Sequence, residues 1–124
     1  MITKIKEYKK VMLMGDSTAQ LFEEKNKEFN LGPNQVLVKV AYSAVSSGTE
    51  YANLTGDINI LATTKAEDTV LIWPREVGYS SSGTVLEVGS DIDDLKVGDR
   101  VVLRACGHAS HHLVNRDWVF KLPY

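Results

Sequence analysis

Residues 43–50, with the sequence SAVSSGTE, bring several hydroxyl groups close to one carboxylate. A hydroxyl beside a carboxylate can relay a proton or hold a polar group of a substrate. The segment follows a predicted strand, and loops at strand ends often carry function on a rigid scaffold. A second interpretation also stays open, in which this is a strand-to-helix junction whose Ser and Thr residues cap a short helix.

Cysteine and histidine are concentrated in residues 106–112, with the sequence CGHASHH. On a strand, Cys106 and His108 would share a face, and such a pair can chelate zinc. His112 would lie on that face about 13 Å from His108, too far for the same ion, while His111 would point the other way. Two local ligands are fewer than zinc takes. The spacing therefore favours a surface or cavity-lining histidine cluster over a metal site, which would need a further carboxylate from elsewhere.

Two glycines bound a run of hydroxyl residues at 78–83, with the sequence GYSSSG. Glycine permits unusual backbone angles or the close approach of another chain or a ligand. No Lys-Ser or Lys-Thr pair follows the last glycine, and no G-x-G-x-x-G motif occurs in the chain, so neither phosphate-binding loop is present. We interpret the segment as a structural turn, and a phosphate-bearing cofactor would need a second domain.

Strand periodicity dominates the rest of the sequence. Runs of β-branched and apolar residues between Gly, Pro and Asp turn signals predict strands at 36–42, 84–88, 101–104 and 118–122. A Gly-Asp turn at 15–16 predicts a hairpin between 10–14 and 18–23. A short helix is predicted over 50–54 and a long loop over 57–68. These elements favour a mainly β fold, a partly open barrel with one or two short helices.

Length and charge limit what the chain can be. Its 124 residues are enough for one domain spanning 1–124 but not for a second, dinucleotide-binding domain. The net charge of the chain is −2. The mildly acidic balance argues against nucleic acid as a partner, and no apolar run approaches the roughly 18 residues of a membrane helix. One cysteine excludes an internal disulfide and predicts a reducing, cytoplasmic location.

In their order and spacing, these segments resemble the N-terminal GroES-like domain of the medium-chain dehydrogenase/reductase family, which includes zinc alcohol dehydrogenases and quinone reductases. The resemblance runs from about Lys10 to Pro123. Its most specific part is the pattern P-x-x-x-G-x-x-x-x-G-x-V-x-x-V-G at 74–89, followed by LKVGDRV at 95–101. The closing segment VFKLP at 119–123 is similar to the last strand of the family domain.

The chain departs from this family at the zinc ligands. The family segment C-G-T-D-x-H corresponds to residues 47–52, where Ser47 replaces the cysteine and Ala52 the histidine. In the segment G-H-E, Tyr79 replaces the zinc-binding histidine and Ser80 the glutamate. Hydroxyl and phenol groups are poor zinc ligands beside thiolate and imidazole, and a single cysteine cannot form the four-cysteine structural zinc lobe. The resemblance therefore implies a zinc-independent branch with no metal ligands.

The resemblance also assigns roles by position. Thr49 stands where the family keeps the hydroxyl that relays the substrate proton, and Ser47, Gly48 and Thr49 would lie beside the nicotinamide ring. Glu50 replaces an aspartate that supports the zinc site, so its purpose here is open. We expect Tyr79 either to donate a hydrogen bond to a substrate carbonyl in place of the metal or only to fill the emptied cavity.

The implied function is the substrate side of an NAD- or NADP-dependent oxidoreductase that acts on a small alcohol or carbonyl compound. Hydride transfer would take place at the cleft with a Rossmann domain that is absent from this chain. The isolated chain would then be inactive and bind neither NADH nor NADPH appreciably, whereas the complete protein could form a homodimer. The alternative is a stand-alone GroES-like binding or scaffold module without catalysis. A glycine-rich strand–turn–helix after Tyr124 in the gene would distinguish the first from the second.

Overall fold

The computed structural model describes residues 1–55, 73, 74, 76, 78, 80–104 and 106–123, with only the backbone of Ser47 and Thr49. The predicted loop at 57–68 and Tyr79 lie outside the described residues. In chain order the elements are β1 (Ile2–Leu13), β2 (Ala19–Asn30), β3 (Gln35–Ser43), α1 (Ser47–Thr55), β4 (Ser80–Val88), β5 (Arg100–Arg104), β6 (His111–Asn115), a 3-10 helix (Arg116–Trp118) and β7 (Val119–Lys121).

The first two strands form a long antiparallel hairpin in which Leu13 lies opposite Ala19 and Ile2 opposite Asn30. The Asp16 carboxylate accepts a hydrogen bond from the N–H of Thr18 at 3.1 Å in the turn. The hairpin confirms the predicted turn but is much longer than predicted. In β2, residues 23–28 (EEKNKE) are almost all exposed, so charged and polar side chains on both faces masked the strand pattern there.

The other five strands form one antiparallel sheet in the order β6-β3-β4-β5-β7. The predicted strands at 36–42, 84–88 and 101–104 are confirmed, although β4 begins four residues before Thr84, at Ser80. The strand predicted at 118–122 is shorter, because Trp118 belongs to the 3-10 helix that precedes β7. Strand β6 was missed, since its sequence HHLVN has no clear alternation.

Two apolar clusters lie on opposite faces of β3. Val36 and Val38 are fully buried with Val85, Val101 and Leu103 inside the curled sheet. Leu37, which points the other way as alternation requires, packs with the aromatic rings of the hairpin. The sheet is a half-barrel covered on one side by the hairpin, which confirms the prediction of a mainly β, partly open barrel with short helices.

Gly83 has a structural role in β4. A Cβ atom at this position would lie 2.1 Å from the backbone oxygen of Lys39 in the neighbouring strand. Only glycine lets the two backbones approach this closely. Gly78, with φ +149°, makes a similar approach to the backbone of Cys106. Both glycines therefore serve chain packing, in line with the interpretation of residues 78–83 as structural.

None of the helices in the described part of the chain is long and apolar enough to cross a membrane.

Candidate functional site

The backbone around His108 is held between two strands. The carbonyl oxygen of His108 accepts a hydrogen bond from the N–H of Val11 in β1 at 2.8 Å. Two residues later, Ser110 donates its N–H to the carbonyl of Lys9 and accepts from the N–H of Val40 in β3. Because both neighbouring strands are anchored in the two apolar clusters, the position of the His108 side chain is fixed by the sheet and the hairpin.

The register of β3 against β6 brings Ser43 to this histidine. Lys39 lies opposite His111, and in an antiparallel pair the residues after Lys39 run alongside those before His111. Ser43 therefore ends β3 beside the segment that carries His108. Its Oγ atom lies 2.6 Å from Nδ1 of His108, a short hydrogen bond between groups that are 65 residues apart in sequence.

Glu50 completes a chain of three side chains. It lies in the first turn of α1, and its Oε1 atom contacts Nε2 of His108. Its Oε2 atom accepts a hydrogen bond from the N–H of Ser46, just before the helix. The side chains of His108 and Glu50 are only 14% and 12% exposed, so this contact is shielded from solvent. The same carboxylate thus anchors the start of α1 and orients the imidazole.

The remaining members of the Cys-His cluster have other partners. His111 Nδ1 is hydrogen bonded to the hydroxyl of Ser110 at 2.8 Å, and His112 Nε2 donates to the carbonyl of Gly107 at 2.7 Å. The thiol of Cys106 donates to the carbonyl of Arg104 at 3.3 Å. Burial, reinforced by the nearby carboxylate of Glu76, raises the pKa of this thiol, which disfavours the thiolate needed for nucleophilic attack or metal binding.

The expectation that Cys106 and His108 share a strand face is wrong. β6 begins only at His111, and residues 106–108 run as irregular chain, because their polar groups bond to β1, α1 and the end of β3 instead of to a strand neighbour. Among the residues that the structure describes, no group of three or more His, Cys, Asp or Glu side chains is placed to hold a metal ion.

The residues to which the family resemblance assigned catalytic or cofactor-binding roles lie at the start of α1 and just before β4 in the sequence. Ser47, Gly48 and Thr49 form the first turn of α1, together with Glu50. Gly48 is exposed, and no described atom lies within 4 Å of where its Cβ would be. The side chains of Ser47 and Thr49, and the whole of Tyr79, lie outside the described residues, so their predicted roles stay predictions.

Two further positions of the family's zinc-binding segments, Ala52 and Ser80, are described, and neither carries a good metal ligand. Ala52 has no donor atom, and its side chain is half-buried in α1. Ser80 is the first residue of β4, opposite Arg104, so a cation faces the same strand pair. A methyl group and a lone hydroxyl supply neither the thiolate nor the imidazole that zinc requires.

A cavity opens beside Ser43, between the end of β3 and the start of β4. It has a volume of about 260 Å³, and its lining includes Ser43, Ser80, Ser81 and Ser82. Ser81 lies opposite Ser43 in the β3–β4 register and is 3% exposed. Its Oγ atom is buried and has no hydrogen-bond partner among the described residues. Such a group costs stability unless something else satisfies it.

The pairing of Ser43 with His108 was missed from the sequence. Both residues lay in segments singled out for their chemistry, but in two different ones. The signal that joins them is the pairing of β3 with β6, and it could be found only by recognising residues 111–115 as a strand and setting its register.

Comparison with known proteins places the chain in a clear context. Residues 32–122 match the family described as alcohol dehydrogenase GroES-like domain. An L-threonine 3-dehydrogenase of Thermococcus kodakarensis is 28% identical over 72% of this chain and 26% of its own length. A D-xylulose reductase of Scheffersomyces stipitis is 34% identical over 57% of this chain and 17% of its own length.

A solved structure supports the same fold. The Helicobacter pylori protein CAD, complexed with NADP(H), superposes with a TM-score of 0.72 at 15% identity, over 98% of this chain and 42% of that chain. At this identity the similarity concerns the fold. The chain spans 26% and 17% of the two curated relatives and less than half of the solved one.

Proposed function

Since the chain belongs to the alcohol dehydrogenase GroES-like domain family, we propose that it is the substrate-side domain of an NAD(P)-dependent alcohol dehydrogenase-like oxidoreductase. The observation that carries the proposal is the match of this family to residues 32–122, nearly all of the half-barrel sheet together with α1. The partner is a Rossmann domain of the same parent protein, which binds the cofactor in the cleft between the two domains.

The substrate class follows from the relatives and from the lining of the cavity. The related proteins are named for L-threonine and D-xylulose, both small hydroxylated molecules. Ser43 and Ser81, opposite each other in β3 and β4, line the cavity, and a serine hydroxyl can both donate to and accept from hydroxyl or carbonyl oxygens. We therefore assign a small polar alcohol, or the carbonyl compound formed from it, as the substrate.

The exposed first turn of α1 suits the cofactor side of the cleft. Gly48 leaves room for a flat ring, because a Cβ atom there would meet no described atom within 4 Å. The bound nicotinamide supplies the hydride acceptor. In this proposal Ser47, Gly48 and Thr49 lie against the ring, and the Thr49 hydroxyl contacts the reacting oxygen of the substrate.

Hydride transfer proceeds here without zinc. The support is the donor set, since serine at position 47 and tyrosine at position 79 replace the cysteine and the histidine that bind zinc in the family. Without a metal, the substrate oxygen needs another electrophilic partner. We assign that hydrogen bond to the phenol of Tyr79, with simple filling of the cavity as the alternative role.

The test uses the complete protein, read from its gene beyond Tyr124. We expect a glycine-rich strand–turn–helix to follow in the gene. We also expect the complete protein to reduce NAD or NADP with an alcohol, and to keep this activity after treatment with a strong chelator. Tyr79→Phe should lower turnover by about tenfold or more if the phenol stabilises the transition state. Unchanged turnover in Tyr79→Phe would leave only the cavity-filling role. A stop codon directly after Tyr124 would favour the stand-alone binding or scaffold module.

A further inference from the structure

Ser43, His108 and Glu50 form a continuous hydroxyl–imidazole–carboxylate chain. Both nitrogens of His108 are engaged, Nδ1 with Ser43 and Nε2 with Glu50. Both oxygens of Glu50 are engaged as well, with His108 and with the N–H of Ser46. Among the described residues, Ser43 is the exposed end of this chain, which makes its hydroxyl the point where a further molecule can join.

That open end faces a place prepared for a polar ligand. Ser43 lines the cavity of about 260 Å³ together with Ser81, whose buried Oγ atom has no partner among the described groups. A ligand hydroxyl or carbonyl oxygen placed there could bond to Ser43, beside the buried hydroxyl of Ser81. The unsatisfied hydroxyl is an observation independent of the Ser43–His108–Glu50 geometry, and it points to the same cavity.

We propose that Ser43, His108 and Glu50 form an acid–base triad, in which His108 takes the proton of Ser43 and thereby exchanges protons with a ligand hydroxyl in this cavity. Ser43 and His108 are the catalytic residues. Glu50 is a positioning residue: it holds Nε2, leaves Nδ1 facing the serine, and stabilises the imidazolium that forms.

In the proposed dehydrogenase, the triad would accept the proton that the alcohol loses on oxidation. This role of the triad rests on the proposed function. Bound NAD(P)⁺ would supply the hydride acceptor and take up the two electrons that the alcohol loses in becoming a carbonyl. The O–H proton of the alcohol would pass to Ser43 Oγ while the Ser43 proton passes to Nδ1 of His108, which becomes an imidazolium. A hydroxyl such as Thr49 cannot hold the proton by itself, and Ala52 offers no base within the same helix.

The triad can be tested on this chain without cofactor or substrate, by reaction with an alkyl fluorophosphonate. Ser43 Oγ attacks phosphorus, the P–F bond breaks, fluoride leaves, and His108 takes the serine proton. The rate of labelling and the modified residue are read by intact mass and peptide mapping. Ser110 is an internal control, because its hydroxyl is also bonded to a histidine, His111 at 2.8 Å, but no described carboxylate contacts that ring.

We expect Ser43 to be labelled at least about tenfold faster than Ser110, and Ser43→Ala to abolish the fast reaction. General-base assistance contributes roughly 10²–10⁴-fold, so His108→Gln should slow labelling by about a hundredfold. Glu50→Gln should slow it by about tenfold or more. Circular dichroism of each variant checks that the sheet is intact. Ser43 labelling no faster than that of Ser110, or labelling undiminished in a folded His108→Gln variant, would overturn the triad.

Failure of the triad and failure of the proposed function give different results. Fast labelling of Ser43 in a chain whose complete protein transfers no hydride supports the triad and contradicts the oxidoreductase. If the Ser43→Ala variant of the complete protein transfers hydride at the wild-type rate, the oxidoreductase is supported. The triad then takes no part in moving the substrate proton.

Discussion

Ser43 Oγ lies 2.6 Å from His108 Nδ1, and this contact ties the end of β3 to the segment before β6. The contact also fixes the chemistry of the imidazole. Glu50 contacts Nε2, and a carboxylate accepts hydrogen bonds, so Nε2 donates to Glu50; in the neutral form of the ring, Nδ1 then accepts from the serine hydroxyl. The ring is therefore oriented as a base toward Ser43.

The tautomer of His108 gives the first prediction. In the wild-type chain at slightly alkaline pH, nitrogen-15 NMR should show the neutral Nε2–H form of His108 predominating. In Glu50→Leu the ring loses its acceptor, so the spectrum should show a mixture of tautomers. A wild-type ring protonated mainly at Nδ1 would contradict the hydrogen-bond pattern, and Ser110→Ala, which leaves both contacts of His108 in place, is the matched control.

The close approach of β3 and β4 at Gly83 gives the second prediction. Gly83→Ala would place a methyl group 2.1 Å from the Lys39 carbonyl, and backbone cannot move away without breaking the register. We expect the free energy of unfolding to fall by about 1–3 kcal/mol or more, measured by urea denaturation. Gly48→Ala is the control, since no described atom lies within 4 Å there and alanine favours helix by about 1 kcal/mol. Equal losses in the two variants would refute the packing argument.

The third prediction concerns the pH dependence of stability through His111. Burial of this ring lowers its pKa, and the charges of Lys39 and His112 add to the effect. The other described neighbours are the ring of Tyr8, 6.4 Å away, and the hydroxyl of Ser110. Because the unfolded chain binds a proton below about pH 6.5 and the folded chain does so only at lower pH, stability falls as the pH drops below about 6.5.

His111→Gln should flatten this part of the curve of melting temperature against pH between about pH 8 and pH 5. Lys39→Gln removes the nearest charge that disfavours the imidazolium, so it should shrink the same step without abolishing it. A step of unchanged size in His111→Gln would show that another group causes it.

Ser81 provides the fourth prediction. Its buried hydroxyl has no described partner, and an unsatisfied buried polar group costs about 1–3 kcal/mol. Ser81→Ala should therefore raise the free energy of unfolding of the isolated chain by about 1 kcal/mol. Ser82→Ala, at a half-buried neighbour, should change it by less than about 0.5 kcal/mol. A loss of stability in Ser81→Ala would mean that the hydroxyl is satisfied in the folded chain.

The sequence was a good guide to the sheet because local chemistry determines its strands. Val36, Val38 and Val40 recur with the period of a strand, which located β3. Similar apolar runs bounded by glycine and aspartate turn signals located β4 and β5. Residues 23–28 of β2 could not be located, because Lys, Glu and Asn on both faces of this largely exposed stretch erase the alternation. β6 could not either, because His111 and His112 are adjacent polar residues in a strand of five.

The candidate site was harder to predict than the fold. Gly48 and Glu50 were identified from their place in a family segment, but Ser43 and His108 meet only through the register of two strands that are distant in sequence. Spacing along the chain allowed only a weak pairing of Cys106 with His108, as two zinc ligands on one face of a strand, and gave no link from His108 to Ser43. In the folded chain Cys106 turns to the Arg104 carbonyl and His108 to Ser43 and Glu50.

The most direct measurement is the alcohol-dependent reduction of NAD(P)⁺ by the complete protein, followed in the presence of a strong chelator across a panel of secondary alcohols and polyols. The account predicts that at least one alcohol yields reduced cofactor and carbonyl product in equal amounts, with a rate that the chelator leaves unchanged. Absence of reduced cofactor with every alcohol, or activity that the chelator removes and zinc restores, would contradict it.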